Sequence, residues 1–140
     1  GGGAEHSERN ASIAEPLHFI HAWILPESRS AAPRYDQRLF SEAESADAFC
    51  KIASKDGGAG ALQLDRDVDV LVATLSPGAR IAHPLGFERE AWLQVLSGAV
   101  RANQVLLNAG DGAALQDEES LALEGVEPAE ILLFDMARDG

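Results

Sequence analysis

His6 and Glu8, in the run His6-Ser7-Glu8, have the types and spacing in this 140-residue chain that point most directly to chemistry. In a strand, residues two apart share a face, so both side chains can turn toward one ion. Many exposed His-x-Glu triplets are solvated and bind nothing, which is the plainer reading of the pair taken alone. These two supply half of a four-ligand set. His83, in Ala82-His83-Pro84-Leu85-Gly86, is a further candidate ligand; its plainer reading is a hydrogen-bonded or solvent-facing side chain at a strand end. His18 and His21 are three apart, so on a strand they face opposite ways and share no ion without a bulge.

Other motifs fail on spacing. Asp65-Arg66-Asp67-Val68-Asp69 begins like a calcium loop, but Val70 stands where glycine is needed and Ser76 where the bidentate glutamate belongs. It reads as a strand edge with solvated carboxylates. Gly57-Gly58-Ala59-Gly60 lacks the lysine of a phosphate loop and reads as a flexible hairpin tip. No Gly-x-Ser-x-Gly elbow supports serine chemistry. Cys50, in an apolar stretch, reads as an inert thiol.

The elements that must carry these residues are mostly short strands. Residues 1–16 are polar, with a turn near Asn10 to Pro16. Residues 17–25 are apolar on both faces and predict a strand buried on two sides. A linker with Pro26 and Pro33 follows, and Ser41 with Glu44 marks a helical turn within 41–48. Strands are expected at 49–53, 61–64, 69–75, 80–83, 91–96, 99–102, 104–107, 112–115, 120–123 and 130–135. Turn signals between them, spaced every 8–12 residues, predict an all-β sandwich or barrel.

Composition narrows the function. The formal charge is −12, from 23 acidic and 11 basic side chains, which argues against nucleic acid and anionic membrane. One cysteine forms no intrachain disulfide, so a reducing cytoplasm is the expected location. No run approaches the ~20 apolar residues of a membrane helix, and no signal-peptide pattern is visible.

Taken in order, several segments resemble the pirin family, in particular its bacterial members described as quercetin 2,3-dioxygenases. They are His6-Ser7-Glu8-Arg9-Asn10, Pro16 to Trp23 with Leu25-Pro26, Tyr35-x-Gln37 with Phe40, and Ile52 to Gly57. They continue with Ala91-Trp92-Leu93-Gln94-Val95-x-Ser97-Gly98, Ala109-Gly110-Asp111-Gly112 and Glu130 to Asp135. The resemblance implies a cupin-type double-stranded β-helix, a jelly-roll barrel. Residues 1–27 would be the residual C-terminal strands of a first, metal-binding cupin, 28–47 a linker and 48–138 a second, metal-free cupin barrel.

In the family the first cupin holds a metal, usually described as iron, through three histidines and a glutamate. The resemblance makes His6 the third histidine and Glu8 the carboxylate. The His-x-His pair that supplies the other two lies upstream in relatives and is missing here, which implies weak metal binding or none, and no cofactor or catalytic residue in this chain alone. In the second cupin, Leu85 stands where the second histidine of a His-x-His pair would be. Alanine replaces a ligand histidine in Asn108-Ala109-Gly110-Asp111-Gly112-Ala113.

The resemblance therefore implies a parent dioxygenase, an oxidoreductase using iron or another divalent transition metal on a flavonol-like molecule. This chain would be its inactive structural part. A second reading is a cupin module that binds a small molecule or a protein, to be decided by where Trp92 and Gln94 point. A third is a one-barrel enzyme using His83 with Glu88 or Glu90. The apolar segment 17–25, separated from its first barrel, predicts a homodimer formed by exchanging or pairing strands.

Overall fold

The computed structural model describes residues 5–28 and 32–138. Turn residues cut the second part of the chain into short alternating segments, and ten strands form: β1 (Cys50–Ser54), β2 (Leu62–Gln63), β3 (Val68–Leu75), β4 (Arg80–Pro84), β5 (Arg89–Ser97), β6 (Ala99–Ala102), β7 (Val105–Asn108), β8 (Gly112–Leu115), β9 (Ser120–Gly125) and β10 (Ala129–Ala137). They build two sheets, in the orders β2-β1-β3-β10-β5-β8 and β4-β9-β6-β7. The fold is nearly all-β, as expected. The sheets face each other as in the expected double-stranded β-helix, without closing into one hydrogen-bonded barrel.

Alternation explains the layer between them. Leu71, Ala73 and Leu75 of β3, Ala91, Leu93 and Val95 of β5, and Ile131 and Leu133 of β10 turn one face inward. They meet Val100, Leu121 and Leu123 of the smaller sheet. Leu93, Val100, Leu121, Ile131 and Leu133 are fully buried. Each such side chain removed from water contributes about 2 kcal/mol. The opposite face of the larger sheet is apolar as well. Val68, Val70 and Leu132 form a second cluster with Phe134 and Met136 at its margin. A sheet apolar on both faces needs cover on both sides.

That cover comes partly from the start of the chain, and residues 17–25 depart from expectation. They form no strand among the described residues. The reason is hydrogen bonding: a strand needs a ladder partner, and no edge of either sheet pairs with this segment. Instead Ile24 packs on the second cluster. Glu27 then fastens the segment down. Its N–H donates to the Asp65 carbonyl at 2.7 Å. Its carboxylate accepts from the Asp67 N–H at 2.9 Å and from Lys55 Nζ at 2.8 Å. Those hydrogen bonds, Lys55 first, hold the Glu27 carboxyl below its usual range. Leu17, Phe19, Trp23 and Leu25 stay exposed.

Two smaller readings also change. Gly57–Gly60 is not a hairpin tip: β1 and β2 pair in parallel, Ala53 opposite Leu62. A one-turn 3-10 segment, Gly58–Gly60, makes that crossover, entered through Gly57 at φ +63°. The Asp65–Asp69 carboxylates are not simply solvated. Asp69 pairs with Lys51, Asp67 with Arg89, and Asp65 accepts from the Ser28 N–H at 3.2 Å. The helical turn forms as α1 (Glu42–Ser45), and its capping box joins Ser41 to Glu44.

Candidate metal centre

A tight polar loop sets up the candidate metal ligands. The Asn10 side-chain carbonyl accepts from the Ser12 N–H, and the Ser12 hydroxyl accepts from the N–H groups of Ala14 and Glu15. Asn10 Nδ2 donates back to the Glu15 carbonyl at 2.6 Å. Asn and Ser are turn formers for this reason: their side chains replace backbone partners. The loop reverses the chain and brings residues 6–8 beside residue 21.

His6 Nε2 then lies 3.4 Å from Glu8 Oε1. His21, which sequence reasoning compared only with His18, joins them. One potential ligand atom from each of His6, Glu8 and His21 lies within 4.8 Å of the others. The two imidazoles meet edge to face, centroids 6.2 Å apart, and His21 stacks on Trp23 at 5.5 Å. The set fits a divalent transition metal by its chemistry: two imidazoles and one carboxylate, all exposed and able to rotate to bonds of about 2.1 Å. The signal that could have found His21 was the turn at 10–16, since a reversal there places the following segment against the preceding one.

His83 has a different environment. Its side chain is mostly buried, with Nε2 2.7 Å from Asp135 Oδ2. Asp135 sits two residues after Leu133 on β10 and so shares its inward face. Arg89, at the start of β5, donates from Nε to Asp135 Oδ1 and from Nη2 to the Asp135 carbonyl at 2.8 Å. Its Nη1 reaches Asp67 at 3.0 Å, and Phe49 lies edge-on to the His83 ring at 5.5 Å. Burial alone would raise the Asp135 carboxyl. The hydrogen bonds from His83 and Arg89, with the Arg89 charge, outweigh it and hold the group below its usual value of 3.8. The space in front of His83 thus carries a guanidinium, which repels a cation. Among the described residues, no group of three or more His, Cys, Asp or Glu at ion-holding distance includes His83. Glu90 is engaged with Gln116 at 3.1 Å. Leu85 is buried.

Trp92 and Gln94 point away from the inter-sheet core. Trp92 stands opposite Phe134 across the β5–β10 pair and is 42% exposed. Gln94 donates to the carbonyls of Gly110 and Asp111 at 3.1 and 3.0 Å. Leu93 and Val95, between and beyond them, fill the inside. Trp92 instead helps line a cavity of about 470 Å³ between the leading segment and the outer face of the larger sheet, with Trp23, Ile24, Leu25, Phe134 and Met136, and Gln94 is not part of that lining. Cys50 is half-buried, and burial, reinforced by the Glu44 charge, pushes its thiol up, so a nucleophilic thiolate is disfavoured. No helix among the described residues is long and apolar enough to cross a membrane.

Two facing, mainly antiparallel sheets, with donors on a leading segment, define a cupin-class domain. The model of the quercetinase C-terminal cupin domain matches residues 51–136. A quercetin 2,3-dioxygenase of Escherichia coli is 34% identical over 136 residues, covering 97% of this chain and 58% of the relative. A pirin-like protein of Caulobacter vibrioides is 35% identical over 138 residues, covering 98% and 59%. Bacterial pirin YhhW of E. coli, solved in complex with nickel(II), superposes with a TM-score of 0.78 at 31% identity, covering 84% of this chain and 49% of that one. The chain belongs to the pirin family, as its quercetinase-type C-terminal cupin. It spans a little over half the length of the curated relatives it matches.

Proposed function

We propose that this chain is the C-terminal cupin of a metal-dependent quercetin 2,3-dioxygenase, with metal ligands at His6 and Glu8 and with bracing as the role of its own two sheets. The observation that carries this reading is the location of the donors. The cluster of imidazole and carboxylate ligand atoms lies on residues 6–21, outside the two sheets. A bound divalent metal, iron or another, would supply the redox chemistry that joins dioxygen to a flavonol. His6 and Glu8 would hold it, and the sheets would fix the leading segment through Ile24 and Glu27. The relatives' names and the nickel(II)-bound pirin support the reading. A cytoplasmic location accompanies it.

The two-sheet domain has no equivalent set, because Arg89 and Asp135 occupy the ground in front of His83. Quercetin loss and oxygen uptake test this. The chain loaded with Fe(II) is expected to turn over no quercetin. A longer form carrying an upstream His-x-His pair is expected to be active, and Glu8→Gln to reduce its rate at least 100-fold. Turnover by this chain that His83→Ala abolishes would overturn the proposal.

Leu17, Phe19, Trp23 and Leu25 are exposed apolar side chains on one short stretch, which supports association through this segment. A first cupin would cover them; for this chain a second copy offers the same cover. Light scattering at micromolar concentration should read a dimer. A strict monomer would remove this part of the reading.

A further inference from the structure

We propose that His21 is a third protein ligand, so that His6, Glu8 and His21 form a two-histidine, one-carboxylate site on this chain for a single divalent transition metal. The inference rests on the reading above for the identity of His6 and Glu8, and it adds a residue that the resemblance does not supply.

Three observations carry it. First, the ligand atoms of the three side chains converge within 4.8 Å, the only such group of three or more His, Cys, Asp or Glu among the described residues. Second, the convergence is built by the chain. The loop at Asn10–Glu15 closes through four side-chain-to-backbone hydrogen bonds and sets residue 21 against residues 6–8. Third, the His21 ring is oriented from outside the cluster by its stack on Trp23, interplanar angle 29°. A ring held by a neighbour loses less freedom on binding than a free one.

The donor chemistry also selects the ligand. Two imidazoles and one carboxylate suit iron, nickel, cobalt, copper or zinc better than calcium or magnesium, which prefer all-oxygen sets. Three protein ligands leave coordination positions open for solvent or for donors from another part of the protein. His18 is the natural control. It lies three residues away on the same exposed segment and is not in the cluster. All three proposed ligands are exposed, so replacing them leaves the folded core untouched.

The test uses the untagged 140-residue chain, calorimetric titration with Co(II), and electron paramagnetic resonance of the Cu(II) form. Wild type is expected to bind one equivalent. His21→Ala should weaken Co(II) binding at least tenfold and reduce the coordinated imidazole nitrogens seen with Cu(II) from two to one. His18→Ala should change neither. An imidazole count unchanged in His21→Ala would overturn the assignment of His21 as a ligand. If that variant binds as wild type while Glu8→Gln loses binding, the His21 proposal fails and the metal role of Glu8 stands. If neither variant alters binding, both this proposal and the metal half of the proposed function fail.

Discussion

Asp135→Asn is expected to lower the unfolding free energy by about 3 kcal/mol at neutral pH. Asp135 is 5% exposed, yet its carboxylate joins the two sheets across the open end of the core. It accepts from His83 of β4 and from Arg89 of β5. Asparagine keeps the shape and removes the charge. The Arg89 guanidinium then loses its buried counter-charge and keeps only the more exposed Asp67. Removing one partner of a buried pair costs more than the pair contributes, because the other charge is left desolvated.

The pH dependence has a definite sign. The folded carboxyl lies below its usual value of 3.8, so the unfolded chain takes up this proton first as pH falls. The stabilisation is complete above the unfolded pKa and is lost as pH drops through it toward the folded value. Wild type and Asp135→Asn should therefore differ by the full amount at about pH 7 and begin to converge below about pH 4. Urea unfolding across that range reads both effects. A difference below about 0.5 kcal/mol at pH 7 would show that the cluster is no better than a surface pair.

Gly98→Ala should cost about 3 kcal/mol, from two sources acting together. Gly98 links β5 to β6 at φ +69°, where an L side chain is strained. A Cβ there would also run into the Pro128 carbonyl and the Ala129 Cα, which are backbone and cannot swing away. The turn is also pinned by the Ala109 N–H, which donates to the Gly98 carbonyl at 2.9 Å. Gly110→Ala is the matched control. Its φ of +91° is just as positive, but nothing lies within 4 Å of its Cβ position. Urea midpoints should separate the two variants, with Gly98→Ala the less stable. Equal losses would mean that backbone strain alone decides, and that the close approach to Pro128 contributes nothing.

Strand positions were legible because they depend on local alternation and turn chemistry. Residues 99–102 and 112–115 match their strands to the residue, and Ser41 with Glu44 marks the helical turn where it forms. Partner choice was less legible. Nothing local in Gly57–Gly60 says that the strands on either side run parallel. Residues 17–25 carry the pattern of a two-sided strand, but pattern supplies no ladder partner, and the segment lies against its own domain through Ile24 and Glu27. The same limit hid His21. It lies fifteen residues after His6 and is brought back to it by the turn at residues 10–16, and pairwise spacing along one strand does not reveal that. His83 was legible as a strand end, hydrogen-bonded or solvent-facing, and what decides between the two is Asp135, which comes from a strand far along the chain.

Divalent metal is expected on the leading segment and not in the space between the sheets. Mn(II) broadening of the amide resonances of the ¹⁵N-labelled chain tests this most directly. Signals at residues 5–9 and 19–23 should be lost selectively at substoichiometric Mn(II), with residues 81–85 and 133–137 unaffected. Broadening centred on His83 and Asp135 would contradict it.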